Sequence, residues 1–315
     1  MGNVIKSIPW DGQRITRPGV YAHMPLDDYH RGDICDGPSL SSTQLRTIWQ
    51  TSPEEFWDQS PLNPKGKPRK DSEDFILGRA VHHLICGEAG FANHFVVRPE
   101  KAPDGRDWNG NNKSCIKWFA EQRAVKKSVL TPANIIDIRG MAIKLSQHPI
   151  APHMLNGLIE RSMFWKDKET GVWIKVRPDI IPTASWDFTD LKTTESVAHV
   201  SIQSAIGPTY GYSYIQQGAL ILEGAKALGI EASTFSFVWV RKTRPYSVRT
   251  SQLIDEDLAR GTKMNRVAIR TFHSCFTSRT WPGPGDDRDV EHLQLSERER
   301  ERIDERLALQ LAEAA

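Results

Sequence analysis

Hydrophobic residues recur at helical spacing in several stretches of the chain, and helix-capping residues precede the first of them. Ser41 and Gln44 form a capping-box pattern at the start of the segment TQLRTIWQ. Ser52 followed by Pro53 is typical of a second helix start. The sequence therefore predicts two short helices here, and similar patterns predict further helices over 72–87, 131–147, 197–206, 212–228, 252–272 and 297–314.

After residue 158 the spacing of apolar residues changes from helical to extended. LIERSMFWK and VWIKVRPDII are predicted strands on either side of the turn DKETG, and SWDFTDLKTT is a third. Three consecutive strands joined by short turns predict a meander. A further strand is predicted over 233–242, with YSVRTSQL as its candidate hairpin partner.

The distribution of turn-forming residues divides the chain into regions. Gly, Pro and Asp are frequent in residues 1–38, without sustained periodicity, so the sequence predicts an irregular N-terminal arm. Residues 39–275 are predicted as one domain, with a helical part over 39–157 and a sheet core over 158–241. The breaker-rich segment TWPGPGDDRD falls in a predicted linker and C-terminal helix over 276–315. The apolar residues of that helix share one side, which predicts that it docks or mediates assembly.

Composition and charge narrow the class of protein without identifying its ligand. The chain has 315 residues, with 41 Lys and Arg against 39 Asp and Glu and a net charge of +2. A near-zero sum neither requires nor excludes nucleic acid, because an acidic metal site can lie inside a basic surface. No apolar run approaches the roughly 20 residues of a membrane helix, and the first residues lack a signal-peptide core. We therefore expect a cytoplasmic protein with no membrane partner, and the four cysteines lack the C-x-x-C spacing of an iron–sulfur site.

The turn between the first two predicted strands decides which residues face each other across them. If DKETG is the loop of a hairpin, Lys166 pairs with Val172. Glu160 then lies opposite Pro178, within one residue of Asp179. A glutamate on the first strand is therefore expected near the aspartate that follows the second strand.

The next turn is expected to bring a second aspartate and a lysine to the same place. Ile181 would pair with Phe188 across that turn. Asp179 then lies opposite Asp190. Asp190 and Lys192 are two residues apart on the third strand, so both point to one face. Three carboxylates and one ammonium group are therefore expected to converge on a small patch.

Carboxylates gathered in this way repel one another, and a divalent cation relieves the repulsion. Mg²⁺ favours oxygen ligands, keeps several waters and pairs well with phosphate, so a metal-activated water beside the lysine could attack a phosphodiester. A D-x-K pattern alone is most often a surface ion pair. P-D and D-L-K separated by ten residues, each within an extended apolar segment, form a far more specific signal.

The order of the motifs GRAVHH, LIERSMFW, RPDII, DLKTT and YIQQGAL resembles the PD-(D/E)XK nuclease superfamily, and more narrowly the RecE-type exonucleases (exonuclease VIII-like) of phages and prophages. The stretch YHRGDICDGPSLSSTQLRTIWQTSPEEFW resembles that family's entry segment, and the likeness covers about residues 29–241. The resemblance implies an α/β fold. Its restriction-endonuclease-like core would be a central mixed β-sheet flanked by helices, with an N-terminal helical region.

Within this resemblance, single positions match the family's metal-site residues. Gly78 and His82 match its G-x-x-x-H helix, whose histidine approaches the metal. Asp179 of the P-D motif and Asp190 of the D-x-K motif would be metal ligands, and the backbone carbonyl of Leu191 would be another.

Catalytic roles are implied by the same match. Lys192 would be the catalytic lysine, and Glu160 corresponds to the glutamate of the first core strand. Asp179 and Asp190 complete this catalytic set.

Substrate contacts are implied next to these residues. Gln217 matches the glutamine of the family's Q-x-x-x-Y motif, which helps to hold the DNA strand, whereas Ile221 stands where that motif has tyrosine. Tyr214 precedes Gln217 as it does in the family. Thr193 is a candidate phosphate contact, although strand propensity alone also accounts for a threonine there.

The resemblance implies a metal-dependent exodeoxyribonuclease. It would use Mg²⁺, with Mn²⁺ able to substitute, to digest double-stranded DNA ends from 5′ to 3′ and leave 3′ single strands for a RecT-like annealing protein. It also implies a homo-oligomeric ring, and a phage or prophage origin with action in the bacterial cytoplasm. Two alternatives stay open: another PD-(D/E)XK nuclease, such as an endonuclease or a Cas4-like repair nuclease, and a catalytically inactive DNA-end-binding protein.

Overall fold

The computed structural model describes residues 5–67, 72–88, 90–159, 161–209, 211–285, 290 and 293–313. The helices of this part are α1 (Leu26–His30), α2 (Ser42–Gln50), α3 (Pro53–Gln59), α4 (Glu73–Ile85), α5 (Phe91–His94), α6 (Lys113–Ala124), α7 (Pro132–Gln147), α8 (Ala151–Met154), α9 (His199–Ile206), α10 (Tyr214–Ala227), α11 (Asp255–Ser278) and α12 (Glu297–Glu313). Its strands are β1 (Ser7–Pro9), β2 (Gly19–Ala22), β3 (Ser39–Ser41), β4 (Phe95–Val97), β5 (Ser128–Leu130), β6 (Arg161–Lys166), β7 (Trp173–Val176), β8 (Asp187–Thr194), β9 (Thr234–Arg241) and β10 (Val248–Gln252).

Eight of the ten described strands form a mixed sheet in two linked parts, and β4 and β5 form a separate parallel pair. Five strands pair in the order β1-β2-β6-β7-β3, and three pair in the order β10-β9-β8. An antiparallel bridge between Ile180, beyond the end of β7, and Thr189 of β8 links the two parts. Apolar side chains of β8 and β9 pack against α10 and α11 on one face and against α4 and α7 on the other. The predicted α/β fold, a central mixed sheet flanked by helices, is confirmed.

The predicted three-stranded meander is correct only for its first two strands. β6 and β7 form an antiparallel hairpin, but β8 pairs in parallel with β9 over its whole length. A parallel pair needs a crossover connection, because the chain must return to the starting end of the sheet. Helices α9 and α10 supply that crossover between β8 and β9.

The register of the β6–β7 hairpin differs by one residue from the prediction. Lys166 pairs with Trp173 rather than with Val172. The loop is longer because the N–H of Asp167 donates to the carbonyl of Val172, and the N–H of Gly171 donates back to the carbonyl of Asp167. These two bonds close a six-residue loop, and the pairing therefore begins one position later. Glu160, whose position depended on this register, lies outside the described residues.

The N-terminal segment, predicted to be an irregular arm, is partly regular and packs on the sheet. β2 pairs antiparallel with β6, and β1 pairs in parallel with β2. Tyr21 and Tyr29 are buried against Phe164, and Trp173 lies in the same cluster. The ammonium group of Lys175 donates to the carbonyl of Tyr29 at 2.7 Å, which ties this segment to β7. Strands of three and four residues are too short to show periodicity, so the sequence did not indicate β1 and β2.

Helix α10 lies close against the sheet, and this positions its N-terminal end beside β8. Gly218 permits the approach, because a Cβ there would lie 2.8 Å from the ring of Phe235 and 2.9 Å from Leu253. Ile221 is 2% exposed in the same core. This close packing places the side chains of the first turn of α10 next to β8.

Local capping signals in the sequence predicted several helix starts correctly. The Ser41–Gln44 capping box forms at α2, and the Ser52 side chain accepts from the N–H of Glu55 at α3. Thr131 caps α7 in the same way. Among the described helices, none combines the length and the apolar composition of a transmembrane segment.

Candidate active site

Asp179 lies just beyond β7 and bridges two elements with its carboxylate. Its Oδ2 accepts a hydrogen bond from the backbone N–H of Leu191 at 2.8 Å. Its Oδ1 lies 3.1 Å from Nδ1 of His82. β8 is an edge strand of its three-stranded part, so this carboxylate takes a place that a neighbouring strand's carbonyl would otherwise fill. The predicted juxtaposition of Asp179 with β8 is confirmed, because the Ile180–Thr189 bridge has the register that the sequence indicated.

Helix α4 brings His82 to this carboxylate. The helix buries Leu77, Ala80 and Val81 against the sheet. A Cβ at Gly78 would lie 3.5 Å from Oγ1 of Thr193, so the helix crosses β8 at van der Waals distance. Burial alone would lower the pKa of His82, but the charge of Asp179 and the hydrogen bond to it outweigh burial and raise it.

Asp190 and Lys192 project from the opposite face of β8, toward α10. Asp190 is only 2% exposed, and its Oδ2 forms an ion pair with Nζ of Lys192. Its Oδ1 accepts from Nε2 of Gln217 at 2.8 Å. Nζ of Lys192 lies 4.5 Å from the centre of the Tyr214 ring. The N-terminal turn of α10 therefore contacts both members of the pair.

The electrostatics of the four central groups differ from those of exposed side chains. Burial and the neighbouring Asp179 raise the pKa of Asp190 to about 6. Burial would also raise the pKa of Asp179, but His82 outweighs it and lowers the value. Burial would lower the pKa of Lys192, but Asp190 outweighs it and raises the value. The site therefore holds a charged lysine beside a carboxylate that is costly to ionise.

The carboxylates of Asp179 and Asp190 are ligands that suit a hard divalent cation, although the side chains of the described residues do not bring a full set of ligands to one point. Within the described part of the chain, no group of three or more His, Cys, Asp or Glu side chains is placed to hold a metal ion. His82 and Lys192 instead neutralise the two carboxylates. Burial and the neighbouring Asp179 raise the pKa of Asp190 despite the adjacent Lys192, and added positive charge would favour its ionised form. Carboxylate oxygens are the ligands that Mg²⁺ prefers.

The structure brings together most of the side chains that the sequence predicted for the site. His82, Asp179, Asp190, Lys192, Gln217 and Tyr214 form one connected set of contacts. Thr193 lies on the other face of β8, toward Gly78. The backbone of Leu191 contacts Asp179 through its N–H, and the metal-binding role of its carbonyl stays a prediction.

Arg46 and Tyr212 lie beside the site, and sequence reasoning missed both. Nη1 of Arg46, in α2, donates to the carbonyl of Tyr212 at 2.6 Å, and its guanidinium lies 5.8 Å from the Tyr214 ring. Burial lowers the pKa of Arg46, against the opposing effects of Tyr214 and Asp190. An arginine on a capped helix is usually a surface residue, so its sequence carried no distinguishing signal.

Comparison with known proteins gives a family match and a structural match. Residues 41–293 match the family described as "PDDEXK-like domain of unknown function (DUF3799)". A search of curated proteins found no match. One matching solved structure, from Eubacterium rectale, is described as a "Putative exonuclease". It aligns with a TM-score of 0.55 and 13% sequence identity, over 82% of this chain and 91% of that chain. At this identity the likeness shows a shared fold.

Proposed function

Because the chain belongs to the family of PDDEXK-like domains of unknown function (DUF3799), we propose that it is a metal-dependent exodeoxyribonuclease acting on ends of double-stranded DNA. One observation carries the proposal. Asp179 and Asp190 face each other across adjacent extended segments, and Lys192 contacts Asp190. This is the arrangement that a PD-(D/E)XK mechanism needs.

The metal ligands in this proposal are His82, Asp179, Asp190 and the carbonyl of Leu191, with Glu160 as a further acidic residue. A divalent cation, Mg²⁺ or in its place Mn²⁺, would supply Lewis acidity toward the phosphodiester when bound to these residues. All of the named donors are oxygen or imidazole groups, which such ions accept.

Lys192 acts in this mechanism as a cation rather than as a proton acceptor. Its pKa is raised, because the charge of Asp190 outweighs the effect of burial, so it stays protonated at neutral pH. Its ammonium group would donate to a phosphate oxygen and stabilise the negative charge that builds up during attack. The Tyr214 ring and the Asp190 carboxylate hold that ammonium in place.

Gln217 acts by orienting Asp190. Its amide donates to Oδ1 of Asp190 at 2.8 Å, which leaves Oδ2 directed toward Lys192. Gln217, Tyr214 and Thr193 are the side chains that we propose to contact the DNA strand.

The finer part of the proposal concerns direction and partners. We propose digestion from 5′ to 3′ that leaves 3′ single strands for a RecT-like annealing protein. We also propose a homo-oligomeric ring and a phage or prophage origin, with action in the bacterial cytoplasm. The resemblance of the motifs to RecE-type exonucleases supports this part, and the description of the Eubacterium rectale structure is compatible with it.

Digestion of labelled DNA tests the proposal directly. Linear duplex labelled at the 5′ or the 3′ end, and closed circular duplex, would each be incubated with Mg²⁺ or with EDTA. We expect Mg²⁺-dependent early loss of the 5′ label from the linear duplex alone. Asp190→Ala should abolish this loss, whereas Asp187→Ala, an exposed position in the same strand, should retain it. Cleavage of the circle would indicate an endonuclease, and no cleavage with any divalent metal would favour the inactive DNA-end-binding alternative.

A further inference from the structure

Tyr212 is an exposed aromatic residue that the mechanism above does not use. Its side chain is 64% exposed. Its ring stacks on that of Tyr214, with 5.3 Å between the ring centres and 25° between the planes. Tyr214 in turn contacts Nζ of Lys192 at 4.5 Å from its ring centre. A continuous series of contacts therefore leads from the catalytic lysine to a solvent-facing ring.

The backbone that carries Tyr212 is held firmly by α2. The carbonyl of Tyr212 accepts from Arg46 at 2.6 Å. Nε2 of Gln50 donates to the carbonyls of Pro208 and Gly211, at 2.7 and 3.1 Å. The exposed ring is thus fixed on an anchored segment, and ordering it on a ligand would cost little conformational entropy.

The turn around Tyr212 has a conformation that few sequences can adopt. Ser213 lies in the left-handed region with φ 52°, and its buried hydroxyl donates to Oε1 of Gln216 at 2.7 Å. A Cβ at Gly211 would lie 1.9 Å from the carbonyl oxygen of Ser204, so only glycine fits there. The left-handed region is unfavourable for a residue other than glycine, and the hydrogen bonds around this turn offset that cost.

The surroundings of the ring indicate which ligand it would take. An exposed aromatic ring beside cationic groups is the combination that binds single-stranded nucleic acid, because bases stack on rings and phosphates contact cations. Here the cations are Lys192 and Arg46, both in contact with the Tyr214 ring on which Tyr212 stacks. The Tyr212 and Tyr214 ring centres are 5.3 Å apart, and Nζ of Lys192 lies 4.5 Å from the Tyr214 ring centre. A base stacked on Tyr212 would therefore belong to a nucleotide one or two positions from the phosphate at Lys192.

We propose that Tyr212 is a stacking platform for a nucleobase of the DNA strand that is cut. The inference rests on the proposed nuclease function and adds a specificity to it. The strand enters the site with this base separated from its neighbour, so the preferred substrate is an unpaired or frayed end rather than an intact duplex interior.

Binding without catalysis tests the platform. Fluorescence anisotropy with a labelled single-stranded oligonucleotide in EDTA would compare wild type, Tyr212→Ala and Tyr212→Phe. Loss of one base-stacking contact is expected to weaken binding about tenfold in the alanine variant. Phenylalanine keeps the ring and should bind within about twofold of wild type. Trp186→Ala, which removes an exposed aromatic (46%) at the other end of β8, is the matched control and should have no effect.

A series of oligonucleotides with one abasic nucleotide identifies the stacked position. Wild type should lose about tenfold in affinity when the abasic nucleotide occupies one particular position, and Tyr212→Ala should not lose affinity there. This coupling separates stacking from a general folding defect, which would weaken every oligonucleotide equally.

The possible outcomes distinguish this inference from the proposed function. Equal affinities of wild type and Tyr212→Ala at every abasic position, in an enzyme that cleaves DNA, would overturn the platform alone. Position-specific coupling in a protein that cleaves no DNA would support the platform and contradict the nuclease activity. Failure of the wild type to bind any single-stranded oligonucleotide, in an enzyme that still cleaves duplex ends, would also overturn the platform alone.

Discussion

Two nearly buried carboxylates, Asp167 in the β6–β7 loop and Asp190 in β8, differ in how the fold satisfies them. Oδ1 of Asp167 accepts from the N–H and the hydroxyl of Thr170, at 2.9 and 2.6 Å, and Oδ2 lies 2.7 Å from Arg266. Burial alone would raise the pKa of Asp167, but these contacts outweigh it and lower the value. Asp190 has a lysine and an amide as partners but faces Asp179 as well, and its pKa is raised to about 6.

The opposite pKa shifts distinguish a stabilising ion pair at Asp167 from a candidate catalytic carboxylate at Asp190. The ionised form of Asp167 is favoured by folding, so this residue contributes to stability at neutral pH. Folding disfavours the ionised form of Asp190. At neutral pH, above its raised pKa, Asp190 is nevertheless ionised, which lowers the stability of the folded protein. Carboxylates held in this way are typical of functional sites. Four experiments test this contrast.

Removing the site's lysine is expected to have the largest effect on function. Lys192→Ala should lower the rate of DNA cleavage by about 10³-fold, because a positioned cation is lost from the transition state. DNA binding should persist in an anisotropy assay. Arg266→Ala breaks the ion pair of Asp167. As long as the protein is folded, this variant should cleave DNA at a rate within about twofold of wild type. Equal losses in the two variants would remove the distinction between the regions.

The pH dependence of stability should have opposite signs at the two carboxylates. The pKa of Asp190 is raised from 3.8 to about 6 in the folded protein, so the stability linked to its neutral form is present below 3.8 and lost as pH rises through 6. The pKa of Asp167 is lowered from 3.8, so its contribution is present above 3.8 and lost as pH falls through the lowered value.

Urea unfolding of asparagine variants in EDTA would measure these signs. Between pH 4 and pH 7, Asp190→Asn should gain stability relative to wild type by up to about 3 kcal/mol, from about two pH units at 1.36 kcal/mol each. Asp167→Asn should be less stable than wild type, and its deficit should shrink only below pH 4. Parallel pH curves for the two variants would contradict the comparison.

A divalent cation should stabilise one region and not the other. At about 100 times its Kd, Mg²⁺ would stabilise the folded wild type by about 2.7 kcal/mol, which a thermal unfolding experiment detects as a rise of several degrees in Tm. Asp190→Ala should lose most of this rise, and Asp167→Asn should keep it. A rise that survives in Asp190→Ala would place the cation elsewhere.

The smallest effect is expected from the residue that orients Asp190. Gln217→Ala removes the 2.8 Å hydrogen bond to Oδ1, and a bond to a charged group contributes about 1.5–3 kcal/mol. We expect a rate at least about tenfold below wild type in steady-state cleavage, with less effect than Lys192→Ala. Gln203→Ala, at an exposed glutamine of α9, is the control. A Gln217→Ala rate equal to that of the control would show that Asp190 needs no orientation.

The sequence predicted the parts of the site that depend on short-range geometry. Asp179 and Asp190 are joined by one turn, so the alternation of side chains and the turn length were enough to place them opposite each other. The same reasoning was off by one residue at the β6–β7 loop, because the hydrogen bonds of Asp167 and Gly171 close a longer turn than composition suggests.

The sequence by itself also determined several helix starts, since a capping side chain such as that of Ser52 satisfies a backbone N–H within one turn. The tertiary structure decided which helices reach the site, although the family resemblance implied two of their residues, His82 and Gln217. His82 arrives on α4, Gln217 on α10 and Arg46 on α2. Their contacts span many residues of chain and depend on how the helices pack on both faces of the sheet. Local propensity carries no information about such distances, whereas capping and side-chain alternation act over a few residues and are readable in the sequence.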